Sequence, residues 1–232
     1  MDFTHEGPKA IPLWIDGRAY LTLTDTFFDV ISPLSGEAIR RVPLCGADEA
    51  GTAIAAARAA RPAWAALAPS GRDTLLAALA DGLEGYAGHF AKLLREDCGG
   101  DEAVAAAEVA EAIAVLRAGP SGNGLLAGVV VDANRPLAGF AALAAPLLRA
   151  GSVLVAKPSP RAPGAVLALC ELTSRAGWPG GVVNVVHGDA AAISGLCAAG
   201  IERLCYSGEA ALGQQVSAIA TAAGVPCEIQ VR

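Results

Sequence analysis

The hydrophobic pattern changes period twice along the chain. Up to residue 45, short apolar runs at Ile11–Gly17, Phe27–Ile31 and Glu37–Val42 are broken by Gly and Pro turns, and this spacing predicts short strands. From 46 to 117 the pattern is helical. Asp48 stands where it can cap a helix reaching about Arg61, and Pro62-Ala63-Trp64 starts a short continuation to Leu67. Ser70-Gly71-Arg72-Asp73 has the form of a capping box, and Leu75, Leu76, Leu79, Leu83 and Tyr86 after it line one helical face. A further helix is predicted from about Asp101 to Arg117. A Gly/Pro-rich connector, 118–127, follows.

From 128 to 232 strands and helices alternate. The strands are predicted at Val129–Val131, Val153–Ala156, Val182–Val186, Arg203–Tyr206 and Cys227–Val231. The helices between them are predicted at Leu137–Arg149, Ala162–Ala176, Ala190–Ala198 and Ala210–Ala223. Near-continuous apolar strands separated by helices indicate a parallel sheet covered on both faces. The expected class is therefore α/β, a Rossmann-like parallel sheet preceded by N-terminal strands and a helical segment, in one domain of 232 residues. No G-x-G-x-x-G follows the first strand of the alternating region.

Composition narrows the function classes. A formal net charge of −6 and a pI near 5.1 give no basic footprint for nucleic acid or for an anionic membrane surface. Arg149 and Gly151 cut the apolar run Leu137–Ala156 into a helix-length and a strand-length piece, too short to span a membrane. The N-terminus is polar, with no apolar signal-peptide core, so a cytoplasmic protein is expected. The six cysteines (45, 98, 170, 197, 205, 227) form no C-x-x-C pair, and His5, His89 and His187 are far apart. No metal site is expected, and the cysteines read as small apolar core residues.

Three stretches carry more specific information. They are Gly-Ser-Val-Leu-Val-Ala-Lys-Pro-Ser-Pro (151–160), Gly-Trp-Pro-Gly-Gly-Val-Val-Asn-Val-Val-His-Gly-Asp (177–189) and Cys-Tyr-Ser-Gly (205–208). Together with Ile15-Asp16-Gly17 and Ser32-Pro33-Leu34-Ser35-Gly36-Glu37, they resemble the NAD(P)-dependent aldehyde dehydrogenase superfamily over nearly the whole chain. The resemblance implies a cofactor-binding domain, with NAD or NADP as cofactor. It also implies that 118–127 is a shortened form of a segment that in relatives helps to build an oligomerisation arm.

Site residues follow by the same resemblance. Asn134, in Asp132-Ala133-Asn134-Arg135-Pro136, matches the donor to the oxyanion of the tetrahedral intermediate; its alternative is a strand-end Asn serving a turn or cap. Lys157 matches the lysine that contacts the adenosine ribose, and the acid that often shares those hydroxyls is replaced by Pro160. A solvated strand-end lysine is the alternative. Ser159, Gly188, Ser207 and Gly208 fall at cofactor-binding positions. Glu209 stands where relatives carry a small hydroxyl residue that receives the pyrophosphate at a helix N-terminus. A carboxylate there can satisfy the same N–H groups and repel phosphate, or serve simply as a favourable first-turn residue.

Glu228 matches the general base of a Glu-Leu-Gly-Gly-Lys loop, which here reads Glu228-Ile229-Gln230-Val231-Arg232; its alternative is an ordinary strand-end carboxylate. The family's nucleophilic cysteine follows that loop, so the resemblance implies a chain without it, and Cys227 beside Glu228 is the reverse of an activated thiol. The expectation is a truncated aldehyde dehydrogenase-like protein, inactive in aldehyde oxidation alone. It acts as a structural or regulatory partner or weak nucleotide binder, through self-association or a full-length paralogue. The alternative is one half of a split NAD(P)-dependent aldehyde oxidoreductase whose cysteine comes from another polypeptide.

Overall fold

The computed structural model describes residues 7–119 and 121–232; His5, the rest of the polar stretch 1–6, and Pro120 of the connector lie outside them. Strands β1 (Leu13–Ile15) and β2 (Arg18–Tyr20) form a hairpin, and β3 (Phe27–Ile31) pairs with β4 (Ala38–Pro43) in a separate antiparallel ribbon. β2 escaped the sequence reading because its three residues are all exposed, leaving no apolar run. The turn between β1 and β2 is Asp16-Gly17, with φ of 55° and 71°, the two left-handed positions that a tight hairpin demands.

Four helices come next: α1 (Ala47–Ala66), α2 (Pro69–Gly85), α3 (Ala87–Cys98) and α4 (Glu102–Arg117). Several sequence expectations change here. The N-cap of α1 is Gly46, not Asp48, and Glu49 reaches back to accept its N–H at 3.0 Å. Pro62 lies inside α1 without ending it; its ring is exposed, while Trp64 in the last turn is fully buried. Ser70 caps nothing, since α2 already begins at Pro69, whose fixed φ and missing N–H suit the first helical position. Of the expected face, Leu76, Leu79 and Leu83 are buried on α2, whereas Tyr86 is exposed and caps that helix; Phe90, Ala91 and Leu94 form the buried face of α3, a helix of its own. Asp101 caps α4 by accepting from Val104 N–H at 2.9 Å.

The alternating half builds the sheet. It comprises β5 (Leu126–Val131), α5 (Pro136–Arg149), β6 (Val153–Lys157), α6 (Gly164–Arg175) and β7 (Val183–Val185), then α7 (Ala190–Ala198), β8 (Arg203–Gly208), α8 (Ala210–Ala222) and β9 (Cys227–Val231). Seven strands pair in the order β2-β1-β7-β6-β5-β8-β9. The pairs from β7 to β9 are parallel, and β1 adds antiparallel at one edge. Helices α1, α7 and α8 lie together on one side of the sheet, while α5 and α6 lie against α2, α3 and α4. Strands β5, β6 and β7 are buried throughout, as a sheet covered on both faces requires.

Two buried arginines join the helical layer to the sheet. Arg72 on α2 donates to the Arg149 carbonyl at 2.7 Å and to the Ala65 and Leu67 carbonyls at the end of α1. Arg149, at the end of α5, donates to the Leu116 and Val115 carbonyls of α4 at 2.7 and 3.2 Å. Carbonyls in the last turn of a helix have no partner within it, and a cation there also meets the negative end of the dipole. Trp64 adds a third tie, stacking on Trp178 at 4.9 Å and donating to the Leu148 carbonyl at 3.2 Å.

Close packing of α1 on the loop before β7 is concentrated at Gly181. Its φ is +81°, and a Cβ would lie 2.6 Å from the Ala56 carbonyl oxygen. Both strain and overlap with backbone oppose any side chain there. Gly181→Ala is expected to lower stability by about 2 kcal/mol or more in urea unfolding; a change within about 0.5 kcal/mol would mean that α1 and this loop separate freely.

Candidate functional site

The strand order reverses at β5. The chain runs outward from β5 through β6 to β7, then returns to the other side of β5 as β8 and β9. Open α/β sheets bind ligands in the crevice at such a point, beyond the carboxyl ends of the strands. A cleft of about 760 Å³ lies there. Its apolar lining includes Val130 and Val131 of β5, Ile193 of α7, and Leu212, Val216 and Ile219 of α8. Its polar lining includes Asp132, Asn134, Lys157, Ser159, Asp189 and Glu209.

Asp132, which the sequence reading left without a role, organises the end of β5. Its Oδ2 accepts from Glu209 N–H at 2.6 Å and from the Tyr206 hydroxyl at 3.2 Å, and its Oδ1 accepts from Asn134 N–H at 2.7 Å. The Tyr206 hydroxyl lies 3.1 Å from the Glu209 carbonyl as well, and burial followed by the Asp132 charge pushes its pKa up. Pairing in register, Val131 with Ser207, sets Asp132 beside Gly208. A Cβ at Gly208, whose φ is +151°, would lie 2.1 Å from the Asp132 carboxyl carbon.

The result is that the N-terminal end of α8 holds a carboxylate of the protein itself. Glu209 is the N-cap of α8, not a first-turn residue, and its exposed side chain makes no capping bond; Asp132 does what the sequence reading gave to Glu209. Two neighbouring helices are served the same way. Asp189 caps α7 by accepting from Ala191 N–H at 2.9 Å. Glu108 reaches from α4 to accept from Leu137 and Ala138 N–H at 2.9 and 3.2 Å, and burial raises its pKa against those bonds.

The other sequence candidates divide. Lys157 is buried, not solvated, and donates to the Gly188 carbonyl at 2.9 Å. Burial lowers its pKa to about 8 despite the nearby Asp189. Ser159 lines the cleft and accepts from Arg161 N–H at 3.3 Å. Gly188 does not line the cleft; it contributes its carbonyl to Lys157, in a φ of +133° with Cys45 and Ala192 against it. Ser207 is turned away, its Oγ packed on Gly139 of α5 and accepting from Arg232 Nε at 3.0 Å.

Asn134 stands at the rim with its amide donating to the Arg232 carbonyl at 3.2 Å. Arg232 in turn shares Glu111 with Arg135, a non-glycine residue at φ 55° before α5. Glu228 lies outside the cleft. Its segment is strand β9, paired with β8, instead of a loop, and its exposed carboxylate meets Arg203 at 3.5 Å.

None of the thiols is poised as a nucleophile. Burial pushes the pKa of Cys45 and Cys205 up to about 12; Cys98, contrary to the core role expected of it, is exposed, and the carboxylates of Asp97, Glu108 and Asp132 help to raise its thiol. Burial also raises Cys170, Cys197 and Cys227. Among the described residues, no group of three or more His, Cys, Asp or Glu is placed to hold a metal ion, and no helix is long and apolar enough to cross a membrane.

Comparison with known proteins places this geometry. The aldehyde dehydrogenase family model matches residues 20–123 and 124–230. The chain belongs to the aldehyde dehydrogenase family. The join between the two matched segments falls inside the 118–127 connector. The malonate-semialdehyde dehydrogenase of Pseudomonas aeruginosa is 32% identical over 225 residues, 84% of this chain and 44% of that protein. The succinate-semialdehyde dehydrogenase (NADP+) of Escherichia coli is 30% identical over 213 residues, 81% of this chain and 44% of its own length. This aldehyde dehydrogenase-family chain thus spans about half the length of the curated relatives it matches. In fold it is similar to the lactaldehyde dehydrogenase of Escherichia coli, with a TM-score of 0.88 over 97% of this chain and 52% of that one, at 24% identity. It is also similar to an indole-3-acetaldehyde dehydrogenase of P. syringae solved with NAD+, at a TM-score of 0.87 over 95% of this chain and 50% of that one, and 23% identity.

A pyrophosphate needs the free N–H groups and positive end of a helix; at the head of α8 the N–H of Glu209 is taken by the Asp132 carboxylate, which sets a negative charge where a phosphate would lie. Lys157 carries a separate consequence for stability. Its pKa in the fold, about 8, lies below its ordinary 10.5, so between those values the unfolded chain binds more protons and stability rises with pH. Unfolding of the native chain and of Lys157→Met should therefore diverge by up to roughly 3 kcal/mol in favour of the native chain as pH is raised through that window. A difference that stays flat with pH would show that Lys157 keeps its ordinary pKa in the fold.

Proposed function

We infer that this chain does not oxidise aldehydes on its own and serves as a structural or regulatory partner of another chain. The observation that carries this reading is the Asp132 carboxylate on Glu209 N–H at 2.6 Å, which places a negative charge of the protein at the start of α8. The state of the thiols supports it. Nucleophilic attack on an aldehyde requires a thiolate, and the surroundings of all six thiols, burial for most and neighbouring carboxylates at the exposed Cys98, raise their pKa. Six free cysteines also suit a reducing compartment such as the cytoplasm.

The partner is either a second copy of this chain or a full-length aldehyde dehydrogenase. Leu21 and Leu23 are 83% and 102% exposed near one sheet edge, and Val231 is 64% exposed on β9 at the other. Apolar groups in such positions suit contact with another chain. Weak nucleotide binding is compatible with this role. Dinucleotide-dependent catalysis by this chain alone is not.

The purified chain, given an aldehyde with NAD+ or NADP+, is expected to produce no reduced nicotinamide, and calorimetry is expected to show no heat from either dinucleotide below millimolar concentration. Micromolar binding, or reduction by the chain alone, contradicts the proposal. Reduction that appears only on mixing with a polypeptide carrying the family's cysteine, and that Asn134→Ala removes, supports the split oxidoreductase instead. Purification from the native source is expected to give a complex heavier than the 23.2 kDa chain.

A further inference from the structure

Of the cleft's features, Asp132 carries the most, because it changes what the cleft accepts and not only how it is built. Both its oxygens are spent on the protein: Oδ2 on Glu209 N–H and the Tyr206 hydroxyl, Oδ1 on Asn134 N–H. It is buried, and the missing side chain of Gly208 is what makes room for it. No cation is bonded to it. Its charge is directed at the positive end of α8, where an incoming phosphate would go.

The rest of the cleft is largely apolar. Ile193, Leu212, Val216 and Ile219 offer an apolar slot between α7 and α8, and Lys157 spends one of its protons on Gly188. Such a cleft is suited to a flat, largely apolar body bearing hydroxyl groups. The Asp132 charge opposes one bearing phosphate.

We propose that Asp132 is the specificity-determining residue of this cleft, excluding phosphate-bearing ligands while leaving it open to an unphosphorylated nucleoside. The proposal rests on the inference that the chain does not use dinucleotides, and extends it by naming the residue responsible and the ligand class admitted. Lys157 and Arg161 are the cations lining the cleft, against the carboxylates of Asp132, Asp189 and Glu209. Removing one central negative charge therefore alters the balance where a diphosphate would lie.

Calorimetry with adenosine and with ADP, which differ only by the diphosphate, reads this directly. The full chain is expected to bind adenosine at least as tightly as ADP. In Asp132→Asn, and in Asp132→Ser as a smaller second variant, the preference should shift toward ADP by about tenfold or more. Thermal melts identify which of the two variants is folded under the conditions used. An unchanged ratio in the folded variant overturns the proposal, as does binding of neither ligand to any form. A shift produced by Glu209→Gln and not by the Asp132 variants also overturns it, assigning the exclusion to the exposed carboxylate. These failures leave the lack of aldehyde oxidation standing, because that reading fails only if the chain alone reduces dinucleotide or binds it in the micromolar range.

Discussion

A carboxylate and a missing side chain share one place in this fold. Asp132 ends β5, Gly208 ends β8, and the parallel register puts them side by side. With any larger residue at 208 the Asp132 carboxylate would be displaced, and with it the bonds to Glu209 N–H, Tyr206 and Asn134 N–H. The start of α8, the buried Tyr206 hydroxyl and the turn into α5 all depend on that contact. The floor of the cleft is thus held by protein groups, which a site awaiting an anion would leave free.

The same arrangement recurs around the cleft at different sequence distances. Asp189 serves α7 from two residues away, whereas Glu108 serves α5 from a different helix, 29 residues earlier than Leu137. Backbone N–H groups at helix starts must find partners, and water, ligand or protein can supply them. In this chain the protein supplies a partner at each of the three. The family fold here carries carboxylates at its helix starts, and architecture does not by itself dictate chemistry.

Periodicity made the alternating half legible. The strands and helices from β5 to β9 lie close to their expected positions, because a sheet buried on both faces writes itself as apolar runs. What the sequence hid is non-local or faintly marked. β2 is exposed and carries no pattern, and the caps of α1 and α2 were misplaced because Gly46 and Pro69 act through backbone geometry instead of side-chain chemistry. Four residues that the motif resemblance pointed to, Asn134, Lys157, Ser159 and Glu209, line one cleft. It could not show that Asp132 abuts Gly208, since that needs the pairing of β5 with β8. Nor could it show Ser207 facing α5, which follows from the alternation of side chains along β8. An Asp two residues before Asn134, at the end of an apolar strand, was the available clue.

The guanidinium groups of Arg72 and Arg149 bear on how this molecule comes apart. Arg72 bridges α2, the end of α1 and the end of α5, and Arg149 bridges α5 to α4. These links cross the connector, joining helices before it to a helix after it. Peeling the helical layer away would break all of these bonds at once, each group exchanging its protein partner for water. Opening of one half is thereby coupled to opening of the other, so that amide protons deep in α4 and α5 are expected to exchange together.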